Sequence, residues 1–185
     1  MIVSLTRISD EVFLAVDRIV RLGPEEVALL KDQATRSPRR RARICAHRQN
    51  GDPVHEMLIA VCADSYIRPH KHVNKIESFH IVSGCVDVVV LDDDGAIAEV
   101  IELGDSSGRR PFYYRMADSL FHTLLIRSDI LVMHEITNGP FVPEGTVFAP
   151  YAPIEDRPAD ALAYLADLRR RVSALGSKSS ERQSQ

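Results

Sequence analysis

Cysteine is scarce in this chain, and the few cysteines form no pattern. The 185 residues include three, an odd number, at Cys45, Cys62 and Cys85, and none belongs to a CxxC motif. A disulfide framework needs paired cysteines at regular spacing. The cysteine content therefore argues against a disulfide-stabilised secreted fold. It favours a reducing compartment, for which we expect the cytoplasm.

Long hydrophobic runs and an excess of one charge are also missing. No apolar stretch approaches the roughly 20 residues that a membrane-spanning helix needs, and the first residues lack the charged-then-apolar order of a secretory signal. The formal net charge of −3 argues against a general nucleic-acid-binding protein. The basic cluster at 39–43 is local, and a solvated segment explains it. We expect a small molecule as the partner, and neither nucleic acid nor membrane.

The middle of the chain consists of short apolar segments that suit β-strands. Residues 92–95, Asp-Asp-Asp-Gly, separate two of them. An Asp-Gly pair between apolar runs predicts a hairpin, because glycine accepts the positive φ of such turns. Little helical pattern lies between the segments, so we expect an all-β-dominated fold, an antiparallel sandwich or barrel. The predicted strands are 54–63, 77–82, 85–91, 96–102, 112–116, 121–126 and 130–136.

Helical patterns flank this region on both sides. Pro24 opens a predicted N-terminal helix at 24–35, and an earlier apolar run at 12–16 predicts an edge strand. With 45% hydrophobic and 26% charged residues, the composition is that of an ordinary soluble domain. The last ten residues have too little apolar surface to order themselves. The predicted organisation is an N-terminal extension at 1–38, a single barrel at 39–153, a C-terminal helix at 154–175 and a disordered tail at 176–185.

The segment 69–77 concentrates metal-binding residue types. Side chains alternate between the faces of a strand, so His70 and His72 project to the same side. Glu77 lies five residues after His72, an odd step that would place it on the opposite face of an unbroken strand. The polar residues 73–75 therefore predict a turn or bulge that returns Glu77 to the histidines. The alternative is an exposed polar strand face, but two imidazoles and a carboxylate at one point favour a metal site.

A further histidine, His122, lies in another predicted strand. Alone it would be interpreted as a hydrogen-bonded core residue, but as a partner of the first three it completes a set of three imidazoles and one carboxylate. On a five- or six-coordinate ion, such a set leaves one or two coordination positions open for water or a substrate oxygen. Zinc, manganese, nickel and iron in its ferrous form all accept these ligands. The sequence therefore predicts one divalent metal ion held by His70, His72, Glu77 and His122.

The same residues carry a resemblance to the cupin superfamily. The first cupin motif, His-x-His-x4-Glu-x6-Gly, matches His70, His72, Glu77 and Gly84. The second motif, Pro-x-Gly-x2-His, is echoed at 117–122, where only the histidine is retained. The resemblance implies a cupin jelly-roll β-barrel, which strand periodicity alone does not select over other β-barrels.

More narrowly, the chain resembles the WbuC family of cupin-fold metalloproteins. Cys45 stands where that family is expected to have asparagine. The resemblance implies sugar metabolism in bacterial surface polysaccharide biosynthesis. Cupins commonly pair through exposed sheet edges, so it also implies a homodimer. The matching blocks are 37–43, 65–72, 75–78, 135–141 and 148–153.

A predicted strand ahead of the metal motif alternates basic and apolar residues. Arg41, Arg43 and His47 alternate with alanine and isoleucine, and the simplest interpretation puts the apolar side in the core and the basic side in solvent. A ligand-lined barrel is polar near its mouth, however, and WbuC-like proteins carry a similar Arg-x-Arg-x-x-x-His strand. On that resemblance Arg41 and Arg43 are candidate substrate contacts, suited to a carboxylate or phosphate. His47 is a candidate for proton transfer.

Four more residues are candidates for the site. Glu135 shares a strand face with apolar neighbours, which would bury its carboxyl group and raise its pKa, as suits a general acid or base. The alternative places it at the strand end in water. Lys75 contacts substrate, as the resemblance suggests, or holds a turn in solvent. Tyr66 and Arg68 are substrate-binding candidates at the rim if the histidine strand runs unbroken through them.

The leading hypothesis is a mononuclear metal enzyme acting on a small polar or sugar-type substrate. It would perform isomerase, epimerase or lyase-like proton chemistry, with Glu135 or His47 moving protons. The ligand set also permits a ferrous dioxygenase. A third hypothesis is a binding protein that uses the metal to hold a sugar or acid without converting it.

Overall fold

The computed structural model describes residues 3–182, with side chains up to residue 176. No helix in this part of the chain combines the length and apolar character needed to cross a bilayer. The helices and strands are β1 (Leu5–Arg7), β2 (Val12–Ala15), α1 (Pro24–Arg36), β3 (Arg41–Cys45), β4 (Val54–Cys62), β5 (His70–His72), β6 (Glu77–Ser83), β7 (Cys85–Leu91), β8 (Ile97–Gly104), β9 (Tyr113–Met116), β10 (Phe121–Ile126), β11 (Ile130–Asn138), a 3-10 turn (Pro143–Gly145), β12 (Thr146–Phe148) and α2 (Pro158–Arg182).

The strands form two sheets. One has seven strands in the order β1-β2-β3-β4-β11-β6-β9, and the other has five in the order β12-β5-β10-β7-β8. Paired strands run antiparallel except for β2 and β3, which are parallel. The predicted fold class is confirmed in its mostly-β character: two sheets pack together, with an N-terminal and a C-terminal helix outside them. The sheets are not hydrogen-bonded into a closed barrel within the described residues, so the predicted barrel is an open sandwich.

Alternating side chains divide this sandwich into layers. The inner faces of the two sheets build the central core, to which Phe79 and Val88 belong. The outer face of the seven-stranded sheet shares a second cluster with Leu30 of α1, and the outer face of the five-stranded sheet shares a third with Leu168 of α2. Burying one leucine side chain stabilises a fold by about 2 kcal/mol. Each helix therefore holds one sheet from outside and leaves the inner faces free to form a site.

The start of α1 shows why the sequence places a helix there. Pro24 occupies the first turn, where its missing N–H costs no hydrogen bond. The carboxylate of Glu26 accepts from the backbone N–H of Gly23 at 2.8 Å and from that of Val3 at 3.0 Å. These two backbone hydrogen bonds lower the pKa of Glu26 despite its burial. The predicted N-terminal helix is confirmed at Pro24–Arg36.

Two predictions for the terminal regions differ from the structure. The run at 12–16 is not an edge strand, because β2 pairs with β1 on one side and with β3 on the other. The C-terminal helix begins at Pro158 and continues to Arg182, past residue 175, where the sequence predicts its end. A helix that has formed adds each further residue at little cost. The last part of the predicted tail, 183–185, lies outside the described residues.

The connection between β6 and β7 requires a glycine. Gly84 has a φ of +92°, a conformation that L side chains rarely adopt. A Cβ atom there would overlap Ser128 Oγ and would lie 2.9 Å from the carbonyl oxygen of Ile130. Ser128 lies in the link between β10 and β11, and Ile130 begins β11. The glycine of the first motif is therefore needed both for its backbone angle and for the space it leaves.

We expect Gly84→Ala to lower the free energy of unfolding by about 1–3 kcal/mol, because a non-glycine residue is strained at this φ and its Cβ meets backbone. Urea denaturation measures the loss. Gly51→Ala is the matched control, since a Cβ at Gly51 meets nothing within 4 Å. The control should change stability by less than about 0.5 kcal/mol. Equal losses in the two variants would contradict this explanation.

Candidate metal centre and its cavity

Three strands bring the four predicted metal ligands together. His70 and His72 lie on β5, Glu77 begins β6, and His122 lies on β10. His70 and His122 are direct partners in an antiparallel pair, so their side chains share one face of the sheet. One ligand atom from each of the four residues lies within 4.8 Å of the others. The cluster could therefore hold one metal ion.

A tight turn between β5 and β6 returns Glu77 to the histidines. Asn74 in this turn has a φ of +57°. From the end of β11, Asn138 Oδ1 accepts from the backbone N–H of Ile76 at 2.7 Å, and Asn138 Nδ2 donates to the carbonyl oxygen of Asn74 at 3.3 Å. The predicted break before Glu77 is present. It is held by an asparagine that the local sequence did not indicate.

Each of the three imidazoles has its Nδ1 atom engaged outside the cluster. His70 Nδ1 lies 2.9 Å from the carbonyl oxygen of Arg68, and His122 Nδ1 lies 3.0 Å from that of Leu120. A carbonyl oxygen only accepts, so these two Nδ1 atoms carry the proton and Nε2 keeps the lone pair. His72 Nδ1 lies 3.3 Å from Thr146 Oγ1 on β12. Such outer contacts fix metal-binding histidines in protein sites.

The interior of the cluster fits a cation. His72 Nε2 and His122 Nε2 each lie 3.3 Å from an oxygen of Glu77. Two ligands about 2.1 Å from one ion, at angles of roughly 90–109°, are about 3.0–3.4 Å apart. His122 Nε2 is also buried without a well-formed hydrogen bond among the described residues. Lone pairs that face a carboxylate with no donor between them are satisfied by a divalent cation.

The protonation of the cluster suits the same role. Burial alone would raise the pKa of Glu77, but the imidazoles of His122 and His72 outweigh it and hold this pKa well below its usual range. Burial lowers the pKa of His70 to about 4, and the neighbouring His122 adds to the effect. Near neutral pH the carboxylate is therefore ionised and the His70 imidazole is neutral, which are the states that bind metals. Burial would lower the pKa of His122, but Glu77 outweighs it and raises this pKa, so His122 would release a proton when a metal binds.

The ligands line a cavity of about 920 Å³. This volume lies at the upper end of the range for small-molecule sites. The central core fills the rest of the space between the sheets with apolar side chains. Residues that line the cavity besides the ligands include Arg41, Arg43, Cys45, His47, Met57, Ile59, Arg68, Lys75, Phe79, Glu135, Phe141 and Phe148.

Glu135 lies close to the metal ligands on the inner face of the seven-stranded sheet. In the pairing of β11 with β6, Glu135 is opposite Phe79 and Thr137 is opposite Glu77. Glu135 is therefore a diagonal neighbour of Glu77. Burial and the negative charge of Glu77 raise the pKa of Glu135 to about 8, against the opposing effects of nearby cations that include Arg43. Glu135 is half-buried and lines the cavity, which corresponds to the first of the two placements that the sequence left open.

The two arginines of β3 differ in their availability. Arg41 lines the cavity, but its guanidinium group donates to both carboxylate oxygens of Glu155, at 3.0 and 3.2 Å. Glu155 also forms an ion pair with Arg39, whose Nη2 atom lies 2.7 Å from Glu155 Oε2. Arg43 lines the cavity with no ion pair among the described residues. Arg43 is therefore the more available substrate contact, and Arg41 is largely neutralised.

The remaining predicted substrate contacts separate into cavity and non-cavity residues. Lys75 and Arg68 line the cavity, and their cationic groups lie 5.5 Å and 5.1 Å from the ring centres of Phe141 and Phe148 respectively. Tyr66 does not line it. Its hydroxyl group donates to the Pro153 carbonyl oxygen at 2.9 Å, and its ring packs in the outer cluster beneath α2. The chain between Tyr66 and β5 is not a strand, so the alternation that would have placed Tyr66 at the rim does not hold.

His47 lies at the cavity wall beyond the end of β3. Its ring stacks on that of His55, with the ring centres 4.0 Å apart and the planes at 8°. His47 Nδ1 lies 3.2 Å from the carbonyl oxygen of Glu56, which leaves Nε2 as the free basic atom. Burial lowers the pKa of His47, and His55 contributes to this. Through this stacking, His55 supports the ring of His47.

Several residues support the site although no local sequence pattern predicts their role. Tyr114 Oη lies 3.4 Å from Glu77 Oε1, in position to donate a long hydrogen bond, and Thr146 and Asn138 hold His72 and the turn before Glu77. All three contacts join segments that are far apart in the chain. Polar residues of these types occur throughout the sequence, so no local signal distinguished them.

Residues 23–103 match a family model described as a domain of unknown function, DUF6016. No curated protein matches the chain. The metal-site residue His122 lies outside the matched range. The match therefore covers less than half of the chain and only part of the site.

Several solved structures are similar to this chain at low identity. A protein from Shewanella oneidensis shares 9% identity, over 57% of this chain and 72% of that one, with a TM-score of 0.47. An oxalate oxidase shares 15% identity, over 63% and 58%, with a TM-score of 0.46. Oxalate decarboxylase from Bacillus subtilis shares 13% identity, over 53% and 24%, with a TM-score of 0.42. The chain thus spans about a quarter of the length of the decarboxylase.

We expect His122→Ala to weaken metal binding by at least about 100-fold, because it removes a direct ligand and loss of an outer contact alone costs 10–100-fold. Thermal unfolding with and without added zinc measures this, since a metal that binds the folded state raises its melting temperature. His80→Ala is the control, because His80 is exposed and lies outside the cluster. A zinc-induced rise that survives in His122→Ala would contradict the assigned ligand set.

We expect Thr146→Val to weaken metal binding by about tenfold, because it removes the hydroxyl group that contacts His72 Nδ1 while keeping the side-chain shape. Competition with a chelator of known affinity measures the change. Thr35→Val is the control, since Thr35 is exposed on α1. Equal affinities for Thr146→Val and the unaltered chain would show that β12 does not orient His72.

Proposed function

We propose that this chain is a metal-dependent enzyme that moves a proton on a small polar substrate, in an isomerase, epimerase or lyase-like reaction. The observation that carries the proposal is the position of the metal-ligand cluster on the wall of a large cavity, beside the carboxyl group of Glu135. A purely structural metal site needs no cavity beside it. Here the ligands adjoin space that a substrate can enter.

His70, His72, Glu77 and His122 would hold one divalent ion at this wall. When bound, the ion supplies Lewis acidity, which polarises a carbonyl or hydroxyl oxygen of the substrate. The surrounding residues keep the ligands in place without entering the chemistry. Tyr114 and Asn138 position Glu77, and Thr146 positions His72.

Glu135 is the leading candidate for proton transfer. Glu135 lines the cavity diagonal to Glu77, and burial together with the charge of Glu77 raises its pKa to about 8. A group whose pKa lies near the working pH can both donate and accept a proton at its Oε atoms. Enclosure by Met57 and Phe79, its partners on the two neighbouring strands, limits the water around it.

His47 is the second candidate for proton transfer. Its Nδ1 atom is held by the Glu56 carbonyl oxygen, so its Nε2 atom is free to accept a proton. Burial lowers the pKa of His47, which keeps the ring neutral near pH 7 and suits a base. A reaction that inverts a carbon centre needs one group to remove a proton and another to return it. Glu135 and His47 offer two such groups in one cavity.

The finer assignments rest on the resemblance of the sequence blocks. We infer a sugar-type substrate, a role in surface polysaccharide biosynthesis and a WbuC-like family membership from these blocks, and a homodimer from the exposed sheet edges of cupins. The size of the cavity and the charged side chains among its lining residues support a sugar-sized ligand. The four metal candidates, zinc, manganese, nickel and iron, all accept the ligand set.

We expect Glu135→Gln to lower the rate of proton exchange by at least about 100-fold while the metal content stays unchanged. Glutamine keeps the shape of the side chain but cannot take up or release the proton. The experiment first measures the metal content of protein purified without added ions. Proton NMR in heavy water then follows a panel of neutral, amino and acidic sugars. The unaltered chain should exchange a carbon-bound proton for deuterium or change the configuration of one panel member.

Glu99→Gln serves as the matched control, since Glu99 is an exposed glutamate on β8 that does not line the cavity. Oxygen uptake with an oxidised product would replace the proposal by the dioxygenase hypothesis. Tight binding of a sugar without conversion by the unaltered chain would replace it by the binding-protein hypothesis. Full activity of Glu135→Gln would transfer the proton step to another residue, and His47→Gln tests that alternative.

A further inference from the structure

The cationic side chains around the cavity fall into two groups. Arg39 and Arg41 are neutralised, because both bind Glu155, and Arg39 also lies 3.3 Å from Glu11. Four other cations line the same cavity without any carboxylate at ion-pair distance among the described residues: Arg43, Arg48, Arg68 and Lys75. Of these four, Arg43 and Lys75 are the ones within electrostatic reach of Glu135.

Arg43 and Lys75 lie on different segments, but both influence the carboxyl group of Glu135 electrostatically. Arg43 lies on β3 and Lys75 lies in the turn between β5 and β6. Glu135 lies within electrostatic reach of both, and also of the ligands Glu77 and His122. The charge state of Glu135 therefore depends both on the metal ligands and on two unpaired cations.

We propose that the cavity takes an anionic substrate whose carboxylate or phosphate group is held by Arg43 and Lys75 while another of its oxygens faces the metal ligands. The inference deepens the proposed function and rests on it for the metal end of the substrate. Arg43 offers a planar pair of donors that matches two anion oxygens, and Lys75 adds a point charge. The two ends of the substrate would then span Glu135, which could reach the carbon between them.

Two phenylalanines at the same cavity indicate the kind of molecule to which the anionic group of the substrate is attached. Phe141 and Phe148 both line the cavity and are each 49% exposed. Lys75 lies over the first ring and Arg68 over the second. Arg68 Nη2 is held by the Ala149 carbonyl oxygen at 3.0 Å, whereas its Nε atom is buried without a partner among the described residues.

An exposed aromatic ring beside a cation suits a ligand with an apolar face and a charged or hydroxylated edge. A sugar ring that bears an acidic group has both features. The substrate class that this cavity favours is therefore a sugar acid or a sugar phosphate, in preference to a neutral sugar.

Isothermal titration calorimetry with three probes tests the proposal: D-glucuronate, D-glucose 6-phosphate and D-glucose. Zinc-loaded protein should bind at least one acidic probe about tenfold or more tighter than glucose, since the acidic group adds charge-assisted hydrogen bonds. A stronger response to glucuronate identifies a carboxylate as the anion, and a stronger response to glucose 6-phosphate identifies a phosphate. Arg43→Gln and Lys75→Gln should each reduce this preference about tenfold, and the double variant should remove it.

Arg115→Gln is the matched control, because Arg115 is an exposed strand arginine on β9 that does not line the cavity. Metal content and urea denaturation, measured on every variant, separate a lost contact from a misfolded chain. The proposal is overturned if wild-type protein binds glucose as tightly as the acidic probes, if it binds none of them at millimolar concentration, or if the double variant keeps the preference.

The same titrations on metal-free protein separate this proposal from the proposed function. A chain that takes up no metal but still prefers acidic probes, through Arg43 and Lys75, supports the anion site and removes the metal-dependent function. A chain that is loaded with metal but shows no preference for acidic probes removes the anion site. The metal-dependent function then stands on its own test.

Discussion

The ionised carboxylate of Glu77, enclosed between two sheets with three imidazoles, is the constraint on which the site depends. Burial of a charge without a partner costs several kcal/mol. The compensation comes from His70, His72 and His122, from the hydroxyl group of Tyr114, and from the cation that this donor set fits. Each of these groups has to reach one point from a different segment. The turn before β6 and the pairing of β5 with β10 follow from that requirement.

The two sheets meet this requirement by dividing the space between them. In one part, apolar side chains from both inner faces pack against one another and supply the burial that stabilises the sandwich. In the other part, the inner faces carry histidines, carboxylates and arginines, which cannot pack as a dry core and leave a cavity instead. Leu30 and Leu168 attach α1 and α2 to the outer faces. The rigidity of the site is thus supplied from outside, and the inner faces remain available for ligands.

Charge also distinguishes residues of the cavity that look alike in sequence. Arg41 and Arg43 lie two positions apart on one strand, yet Glu155 neutralises the first and not the second. The difference comes from a segment that is remote in the chain. It places the carboxylate of Glu155 beside Arg39 and Arg41 but not beside Arg43. Arg43 remains unpaired and lies within electrostatic reach of Glu135, as does Lys75. These two residues are therefore the preferred candidates for contact with a substrate anion.

Local sequence pattern predicted the features that depend on residues only a few positions apart in the chain. The spacing of His70, His72 and Glu77 implied both the shared face and the break between the strands, because strand alternation leaves no other way for these groups to meet. Gly84 was implied by the motif, and the helix after Pro24 by its first-turn chemistry. Local pattern failed for Tyr66 and for the run at 12–16. There the outcome depends on whether a neighbouring segment pairs or turns.

What the sequence by itself determined is the set of metal ligands, the mostly-β class of the fold and the flanking helices, since periodicity and residue type encode these over a few residues. Only the tertiary structure decided that Asn138 clamps the turn before Glu77, that Thr146 reaches His72, that Glu135 lies diagonal to Glu77, and that Glu155 removes Arg41 from the free cations. These contacts join segments far apart in the chain. Their partners are set by sheet register and by packing, which no local pattern contains.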